Sequence, residues 1–247
     1  MKNDFITFAS FLWKDPARRR SYTFNTQHPI ILRNMLKRNC NLDFEFVIVT
    51  NSHDAAETLS KEGIRCVPLD MSKHVPGTCA VKLMARRPDI GGILGRRIAL
   101  LDLDIVITGN VDDIFGREED CVFYRNPNWT PEGRRAFYQG SIQLFDAGAR
   151  SFLYTEFDPA VTPGLVNRRF GGMEQAWISE RLDWNAEACW DSNDGIYGAG
   201  RLFDGRPDGG VTSELPENAK IVVVPGDREP SQESVQKMHP FIKEHYW

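Results

Sequence analysis

The most informative feature of the sequence is a pair of aspartates, Asp102 and Asp104, within its most apolar segment, residues 98–107 (IALLDLDIVI). Side chains two positions apart on a strand point to the same face, so a strand here places both carboxylates together. Burying two ionised carboxylates is unfavourable by several kcal/mol each unless a partner offsets their charge. A divalent cation is such a partner, and oxygen ligands suit Mg²⁺ or Mn²⁺. The pair therefore predicts a metal site; turn-capping or solvent-facing aspartates are the alternative, which the apolar flanks disfavour.

Alternating strand and helix patterns surround this pair. Runs of β-branched and aromatic residues predict strands, and apolar stripes at helical spacing predict helices. The predicted strands are residues 5–8, 44–50, 64–69, 98–107, 121–124, 141–145 and 220–224. The predicted helices are residues 29–38, 54–62, 78–86, 149–157 and 174–182. This order predicts an α/β fold with a central, mostly parallel sheet flanked by helices, which binds ligands at the carboxyl ends of its strands.

Length and composition restrict the function further. The 247 residues carry a net charge of −4, with 41% hydrophobic and 26% charged residues, which is typical of a globular protein and argues against a nucleic-acid binder. No apolar run reaches the ~18 residues of a transmembrane segment, and the first residues lack the apolar stretch of a signal peptide. The five cysteines form no Cys-x-x-Cys pair, so we expect no disulfide framework and a cytoplasmic location.

Several segments around the aspartates resemble the core of GT-A-type glycosyltransferases, most closely glycosyltransferase family 8 and its bacterial relatives. In that family a basic residue and a leucine precede a strand that ends in an Asp-x-Asp (DxD) motif, and a short helix follows. The matching segments are Lys82-Leu83, residues 97–104 (RIALLDLD) and residues 106–115 (VITGNVDDIF), with weaker likeness at residues 138–148, 172–178 and 221–226. The resemblance covers most of the chain and is most specific at residues 97–115.

The resemblance implies one GT-A-type domain over residues 1–247, with a nucleotide-binding half at 1–115 and a half for donor sugar and acceptor at 116–247. It implies transfer of a hexosyl group from a nucleoside-diphosphate sugar, in the first place a UDP-sugar, with retention at the anomeric carbon. In this family Mn²⁺ or Mg²⁺ bridges the diphosphate to the Asp-x-Asp pair and offsets the charge of the leaving group. The acceptor, whether glycan, lipid or protein, is not specified by any motif in the sequence.

Position in the family's motifs assigns further residues to the donor site and to catalysis. The donor-site assignments are Thr7, Phe8 and Ala9 for the nucleoside, Lys82, Asp102, Leu103 and Asp104 for the diphosphate and metal, and Gln139 and Gly140 for the sugar. Glu174 and Gln175 match the segment that lies beside the reacting carbon or the acceptor hydroxyl, which makes them the candidate catalytic residues.

The sequence departs from the family pattern at three places. Glu174-Gln175-Ala176 stands where the family has Asp-Gln-Asp, and Gln139 stands where it has Asn. The histidine expected after the closing strand as a third metal ligand is absent from residues 224–227 (VPGD), which leaves Asp227 or His239 as candidates. These departures favour a second hypothesis, a protein that binds a nucleotide-sugar but has weak or no transferase activity.

A third hypothesis is a haloacid-dehalogenase-type phosphotransferase with Asp102 as its nucleophile. Residues 102–107 (DLDIVI) also fit the Asp-x-Asp-x-Val/Thr loop of that superfamily, in which the first aspartate attacks phosphorus. Two features weaken this interpretation. Ser231 stands where a second late acidic residue belongs, and three predicted strands precede Asp102, whereas the nucleophile normally follows the first strand of the core.

Residues 191–210 are rich in glycine and aspartate and predict a long loop. Three aromatic residues flank or lie within this segment: Trp184, Trp190 and Tyr197. They predict either a platform on which an acceptor sugar stacks or ordinary packing beneath the loop, and the sequence does not separate the two.

Overall fold

The computed structural model describes residues 5–15, 24–127, 129, 136–166, 173–199, 210–211, 214–224 and 228–247. The strands are β1 (Ile6–Leu12), β2 (Phe44–Thr50), β3 (Arg65–Pro68), β4 (Arg97–Leu101), β5 (Ile105–Ile107), β6 (Cys121–Arg125), β7 (Tyr138–Asp146), β8 (Ala188–Trp190), β9 (Ile196–Ala199), β10 (Gly210–Val211) and β11 (Ile221–Val223). The α-helices are α1 (Gln27–Asn39), α2 (His53–Lys61), α3 (Gly91–Leu94), α4 (Asp112–Phe115), α5 (Phe152–Thr155), α6 (Thr162–Leu165), α7 (Met173–Arg181), α8 (Glu233–Met238) and α9 (Phe241–His245). Short 3₁₀ helices cover Met71–Lys73, Ala80–Arg86 and Ser192–Asp194.

A seven-stranded sheet in the order β3-β2-β1-β4-β7-β6-β8 forms the centre of the fold. The strands β3, β2, β1 and β4 run parallel, β7 is antiparallel to both of its neighbours, and β8 pairs in parallel with β6. The predicted α/β fold with a mostly parallel sheet is therefore confirmed. Strands β1 and β4 are parallel neighbours, with Ala9 opposite Leu100. The segments that follow these two strands therefore leave the sheet at the same edge.

The two faces of this sheet are covered by different helices. Leu32, Met35 and Leu36 of α1 fill the core on one face. On the other face, the 3₁₀ helix Ala80–Arg86 and α7 contribute Leu83 and Ile178 to a second core. Lys82 and Glu174 belong to these last two elements, so the fold brings both residues to the same face of the sheet.

The segment predicted as one strand, residues 98–107, is two strands in two different sheets. Strand β4 ends at Leu101, and β5 starts at Ile105 and joins a second sheet in the order β10-β9-β11-β5. The prediction that one strand face carries both aspartates was wrong, because Asp102, Leu103 and Asp104 form the turn between the sheets. Side chains in a turn do not alternate between two faces as they do on a strand, so the two carboxylates need not share one face.

Other boundaries also differ from the predictions. Within residues 191–210, predicted as a loop, the described part contains the helix Ser192–Asp194 and strand β9, which pairs with β11. Strand β1 continues four residues beyond its predicted end, since ITFASFL contains no glycine or proline to interrupt the strand. The polar C-terminal segment forms α8 and α9, whose buried Val235, Phe241 and Ile242 join the main core. None of the helices in the described part of the chain has the length and apolar character needed to cross a lipid bilayer.

Candidate functional site

A buried lysine contacts residues from three other segments of the chain. The Lys82 Nζ atom lies 2.7 Å from Asp102 Oδ1 and 3.0 Å from Glu174 Oε2, and it donates a hydrogen bond of 3.1 Å to the carbonyl oxygen of Gly140. Lys82 is 4% exposed and Glu174 is 2% exposed. We call Lys82, Asp102, Gly140 and Glu174 the Lys82 cluster. All four residues were assigned to the donor or catalytic site from the sequence, and the structure brings them together.

Electrostatics hold the lysine of this cluster in its charged form. Burial alone lowers the pKa of Lys82, but the charges of Asp102 and Glu174 outweigh that effect and raise the pKa above its usual value. Burial raises the pKa of Glu174, and the neighbouring lysine opposes the rise. The three N–H bonds of the ammonium group match the three acceptors around it, so Lys82 has no donor left over.

Strand β7 positions the cluster through an irregularity and a glycine. The register between β6 and β7 shifts so that Phe123 pairs with Gln143 and Tyr124 pairs with Gln139, which leaves residues 140–142 as a bulge beside the site. A Cβ atom on Gly140 would lie 2.7 Å from Glu174 Oε2, so only glycine allows the carboxylate to approach this closely. Next to it, Gln175 donates a 2.9 Å hydrogen bond through Nε2 to Gln139 Oε1, which brings together two further predicted site residues.

Asp104 lies in different surroundings from Asp102. Its Oδ1 atom is buried and accepts no hydrogen bond from the described residues. Burial, followed by repulsion from Asp102, raises the pKa of Asp104 to about 8, against the attraction of Lys82. A buried carboxylate oxygen without a donor is a group that a cation satisfies, and two carboxylates are the oxygen ligands that Mg²⁺ or Mn²⁺ prefers. The side chains of Asp102 and Asp104 therefore fit a divalent cation, while Leu103 between them is buried in the core.

The candidates for a third metal ligand are not brought to this pair in the described part of the chain. No group of three or more His, Cys, Asp or Glu side chains there is arranged to hold a metal ion. His239 is fully buried at the end of α8, where its ring lies 5.9 Å from that of Phe241. Asp227 lies outside the described residues.

Sequence reasoning missed two polar residues near Asp104. Glu229 and Tyr246 are buried, and neither Glu229 Oε1 nor Tyr246 Oη has a hydrogen-bond partner among the described residues. Burial raises the pKa of Tyr246, and the charges of Asp104 and Glu229 raise it further. We call these three residues the Asp104 side. The sequence did contain a signal for these two residues. Glu229 and Tyr246 flank a segment with apolar residues at Val235, Phe241 and Ile242, which indicates that the segment packs against the core.

The predicted nucleoside residues lie within β1, before this edge of the sheet. Thr7, Phe8 and Ala9 are buried, and they pair with residues of β4 from Ile98 to Leu100, which is two residues before Asp102. The extra length of β1 is the physical reason, because the strand ends at Leu12 and not near Ala9. A cavity of about 260 Å³ opens beyond that end. Its lining includes Leu12, Trp13, Lys14, Ser52 and Asp54.

The three aromatic residues considered as a sugar platform differ in their ring and hydrogen-bond contacts. Trp190 is fully buried, with its ring 6.0 Å from that of Phe115, which is the packing alternative. Tyr197 donates a 2.7 Å hydrogen bond to Asn218 Oδ1. Trp184 is 63% exposed, and its ring stacks on that of Trp129 with 5.4 Å between the ring centres.

Comparison with known proteins gives matches in structure but not in sequence. No family model matches the sequence, and no curated protein matches it. Mouse xyloside xylosyltransferase 1, in its apo form, is 13% identical with a TM-score of 0.53 over 89% of this chain and 97% of its own. The glycosyltransferase GlyE of Streptococcus pneumoniae TIGR4 matches in two structures, the apo form at 13% identity and another at 12%, both with a TM-score of 0.57. They cover 93% and 92% of this chain, which spans only 56% of the GlyE chain in each. At these identities the likeness concerns the fold, and the fold of this chain is that of these glycosyltransferases.

Proposed function

We propose that this protein transfers a hexosyl group from a nucleoside-diphosphate sugar, a UDP-sugar in the first place, to a glycan, lipid or protein acceptor, with retention at the anomeric carbon. The observation that carries the proposal is the Lys82 cluster. It lies at the edge of the sheet where β1 and β4 end, which is where open α/β sheets bind ligands. Retention and the UDP base follow from the resemblance to glycosyltransferase family 8.

Asp102 and Asp104 are the proposed ligands of Mn²⁺ or Mg²⁺, with Asp227 or His239 as candidates for a third ligand. A divalent ion bound there would neutralise charge on the leaving diphosphate. Asp102 has one oxygen engaged by Lys82, and Asp104 Oδ1 has no hydrogen bond from the described residues, so the pair keeps acceptor capacity for a cation. Bidentate or monodentate binding by two carboxylates is ordinary chemistry for these ions.

Lys82 is the proposed contact to the donor phosphates. All three of its N–H bonds are occupied by Asp102, Glu174 and Gly140, so it must release one acceptor before it donates to a phosphate. Release of Asp102 achieves this and makes the Asp102 carboxylate available to a cation. Glu174 remains beside Lys82 and, with Gln175 and Gln139, lines the proposed position of the donor sugar and acceptor hydroxyl.

The cavity beyond β1 is the proposed site of the nucleobase in place of Thr7, Phe8 and Ala9. It lies past the carboxyl end of β1, a strand that pairs with β4, and its lining includes the aromatic residue Trp13. Its volume of about 260 Å³ is in keeping with a single aromatic base with part of a ribose.

Thermal unfolding with UDP, GDP and CDP, each with and without Mn²⁺, tests the proposal. Ligand at ~100 times its Kd adds about 2.7 kcal/mol, which corresponds to a rise of about 5–10 °C for a chain of this size. We expect a Mn²⁺-dependent rise with one nucleotide, lost in Asp102→Asn and Asp104→Asn and kept in the surface control Asp89→Asn. A flat response of the wild type to all three nucleotides contradicts the donor site.

Nucleotide-sugar binding without turnover is a second candidate, and one observation favours it. No set of three metal ligands is assembled in the described part of the chain. Tight, Mn²⁺-dependent donor binding with no release of UDP from any UDP-sugar separates this candidate from the transferase. The phosphotransferase hypothesis loses support, because Asp102 follows the fourth strand of a glycosyltransferase-like fold and its Oδ1 is held by Lys82. It requires phosphate release from simple phosphoesters, which Asp102→Asn abolishes.

A further inference from the structure

A second buried cation, Arg86, lies four residues beyond Lys82 on the same 3₁₀ helix. It is 2% exposed, and its guanidinium carbon lies 3.7 Å from the ring centre of Phe145 and 5.1 Å from that of Phe123. None of the ion pairs found in the described part of the chain involves Arg86. Burial of an arginine without a carboxylate is costly, so the contacts of its N–H groups require an explanation.

The strongest polar contact of Arg86 fixes the orientation of a buried amide. Arg86 Nη2 donates a 2.6 Å hydrogen bond to Gln143 Oε1, and Nη1 contacts Cys121 Sγ at 3.4 Å and the carbonyl oxygen of Ala149 at 3.3 Å. A guanidinium group has donors but no acceptor, so only the oxygen of the Gln143 amide can face it. The amide NH₂ group of Gln143 must therefore face the opposite way.

On that opposite side lies the candidate catalytic carboxylate. Gln143 Nε2 donates a 2.9 Å hydrogen bond to Glu174 Oε1, while Glu174 Oε2 lies 3.0 Å from Lys82 Nζ. Each carboxylate oxygen thus has its own donor, and Gly140 closes the space beside Oε2. The carboxylate plane cannot rotate without breaking one of these contacts.

We propose that Arg86 and Gln143 are positioning residues: Arg86 fixes the amide of Gln143, and that amide fixes the carboxylate of Glu174 for the reaction. The inference rests on the proposed function only where turnover is concerned. Gln143 transmits the influence of the arginine without an ion pair, so Glu174 keeps Oε2 for Lys82 and for the reacting groups. Arg86 acts on Glu174 only through Gln143. The effects of the two substitutions on kcat should therefore not add, whereas the effects of two independent packing defects would.

The first test is a kinetic cycle in which released UDP is measured with UDP-glucose, UDP-galactose and UDP-xylose. Misplacement of a catalytic group by about 1 Å costs up to about 100-fold in rate. We expect Arg86→Met and Gln143→Met each to lower kcat about 10- to 100-fold with little change in KM. The double variant should be no slower than the slower single variant, and Arg86→Met should have no further effect in a Glu174→Gln background. Arg87→Met, which alters the adjacent arginine paired with Asp70 and Asp89 at the surface, is the matched control.

The second test needs no turnover. Exchange of the Gln143 side-chain NH₂ protons with solvent is followed by NMR, with the signal assigned from its loss in Gln143→Met. We expect slow exchange in the wild type, fast exchange in Arg86→Met and Glu174→Ala, and no change for the side-chain amide of Gln236, which contacts Pro230 elsewhere. If Arg86→Met does not fold, Arg86→Lys replaces it, since lysine lacks the second N–H bond of the fork.

Unchanged amide exchange in a folded Arg86 variant, or additive losses of kcat in the double variant, overturns the inference. A protected amide that depends on Arg86 in a protein with no UDP release supports the positional arrangement and counts against the transferase. The two failures are therefore distinguishable.

Discussion

Asp102 and Asp104 are separated by one residue, but their side chains lie in opposite surroundings. In the Lys82 cluster, the carboxylates of Asp102 and Glu174 share a buried ammonium group, and no buried polar side-chain atom of these three residues lacks a partner among those described. On the Asp104 side, three buried oxygen atoms, Asp104 Oδ1, Glu229 Oε1 and Tyr246 Oη, have no hydrogen-bond partner among the described residues. One part of the site is complete within the chain, and the other has unused acceptor capacity.

The difference predicts that substitutions in the Lys82 cluster and on the Asp104 side have different consequences. Removal of one partner from a buried charge group leaves the remaining charges uncompensated, which destabilises the fold. A buried oxygen without a partner costs about 1–3 kcal/mol and is retained only where something else requires it. We therefore expect the Lys82 cluster to respond to substitution mainly by loss of stability, and the Asp104 side mainly by a change in ligand binding.

Lys82→Met should have the largest effect, because it leaves Asp102 and the buried Glu174 without their cation. Removal of one member of a buried charge group costs about 3–5 kcal/mol. For a chain of this size, that lowers Tm by about 2–4 °C per kcal/mol. Lys61→Met is the control, since Lys61 pairs with Glu57 at the surface and should cost at most about 1 kcal/mol. A loss below about 1 kcal/mol for Lys82→Met shows that the cluster does not stabilise the fold.

Gly140→Ala should have the second largest effect. The added Cβ would lie 2.7 Å from Glu174 Oε2, so the carboxylate must move, and we expect a loss of about 1–3 kcal/mol in urea unfolding. Glu174→Asp shortens the side chain and should recover part of that loss in the double variant. Gly92→Ala is the control, because no atom lies within 4 Å of its added Cβ. Equal stability of the two alanine variants contradicts the close approach of Glu174 to β7.

The central strands and the residues of the Lys82 cluster were predictable from the sequence, but for different reasons. Strand β2 was predicted at its observed bounds, Phe44–Thr50, because a run of β-branched and aromatic residues depends on local chemistry alone. Lys82, Gly140 and Glu174 were assigned through the resemblance, since no local pattern indicates that three distant segments meet.

What the sequence could not reveal depends on tertiary context. Hydrophobic periodicity does not report a change of sheet, so the break between β4 and β5 at residues 102–104 was missed. Strand β1 has no breaker before Trp13, and its end, with the cavity beyond it, was misplaced for that reason. Gln143 within the apolar run SIQLF was a visible signal of a buried polar contact, but its partner Arg86 could be identified only in the structure.

At high pH, Asp104→Asn should raise the free energy of unfolding, whereas Lys82→Met lowers it. The folded pKa of Asp104, about 8, is above the unfolded value of 3.8, so the native state binds more protons between these values. The contribution of Asp104 to stability is therefore full below about pH 4 and is lost as the pH rises toward 8. Unfolding at pH 5 and at pH 8.5 should show Asp104→Asn gaining stability relative to the wild type as the pH rises. A constant difference between variant and wild type contradicts the buried, unpartnered state of Asp104.

Tyr246→Phe should have the smallest effect on stability. Together with Tyr138→Phe, it compares a buried hydroxyl that lacks a partner among the described residues with one that has partners. The Tyr246 hydroxyl has no partner among the described residues, so its removal should change stability by less than about 0.5 kcal/mol or raise it. Tyr138→Phe is the matched control, because the Tyr138 hydroxyl donates to the carbonyl oxygen of Asp183 at 2.8 Å and accepts from the amide of Glu187 at 3.2 Å. Loss of those bonds should cost about 1–3 kcal/mol in urea unfolding. If Tyr246→Phe costs as much as Tyr138→Phe, the hydroxyl has a partner in solution, and the Asp104 side is as complete as the Lys82 cluster.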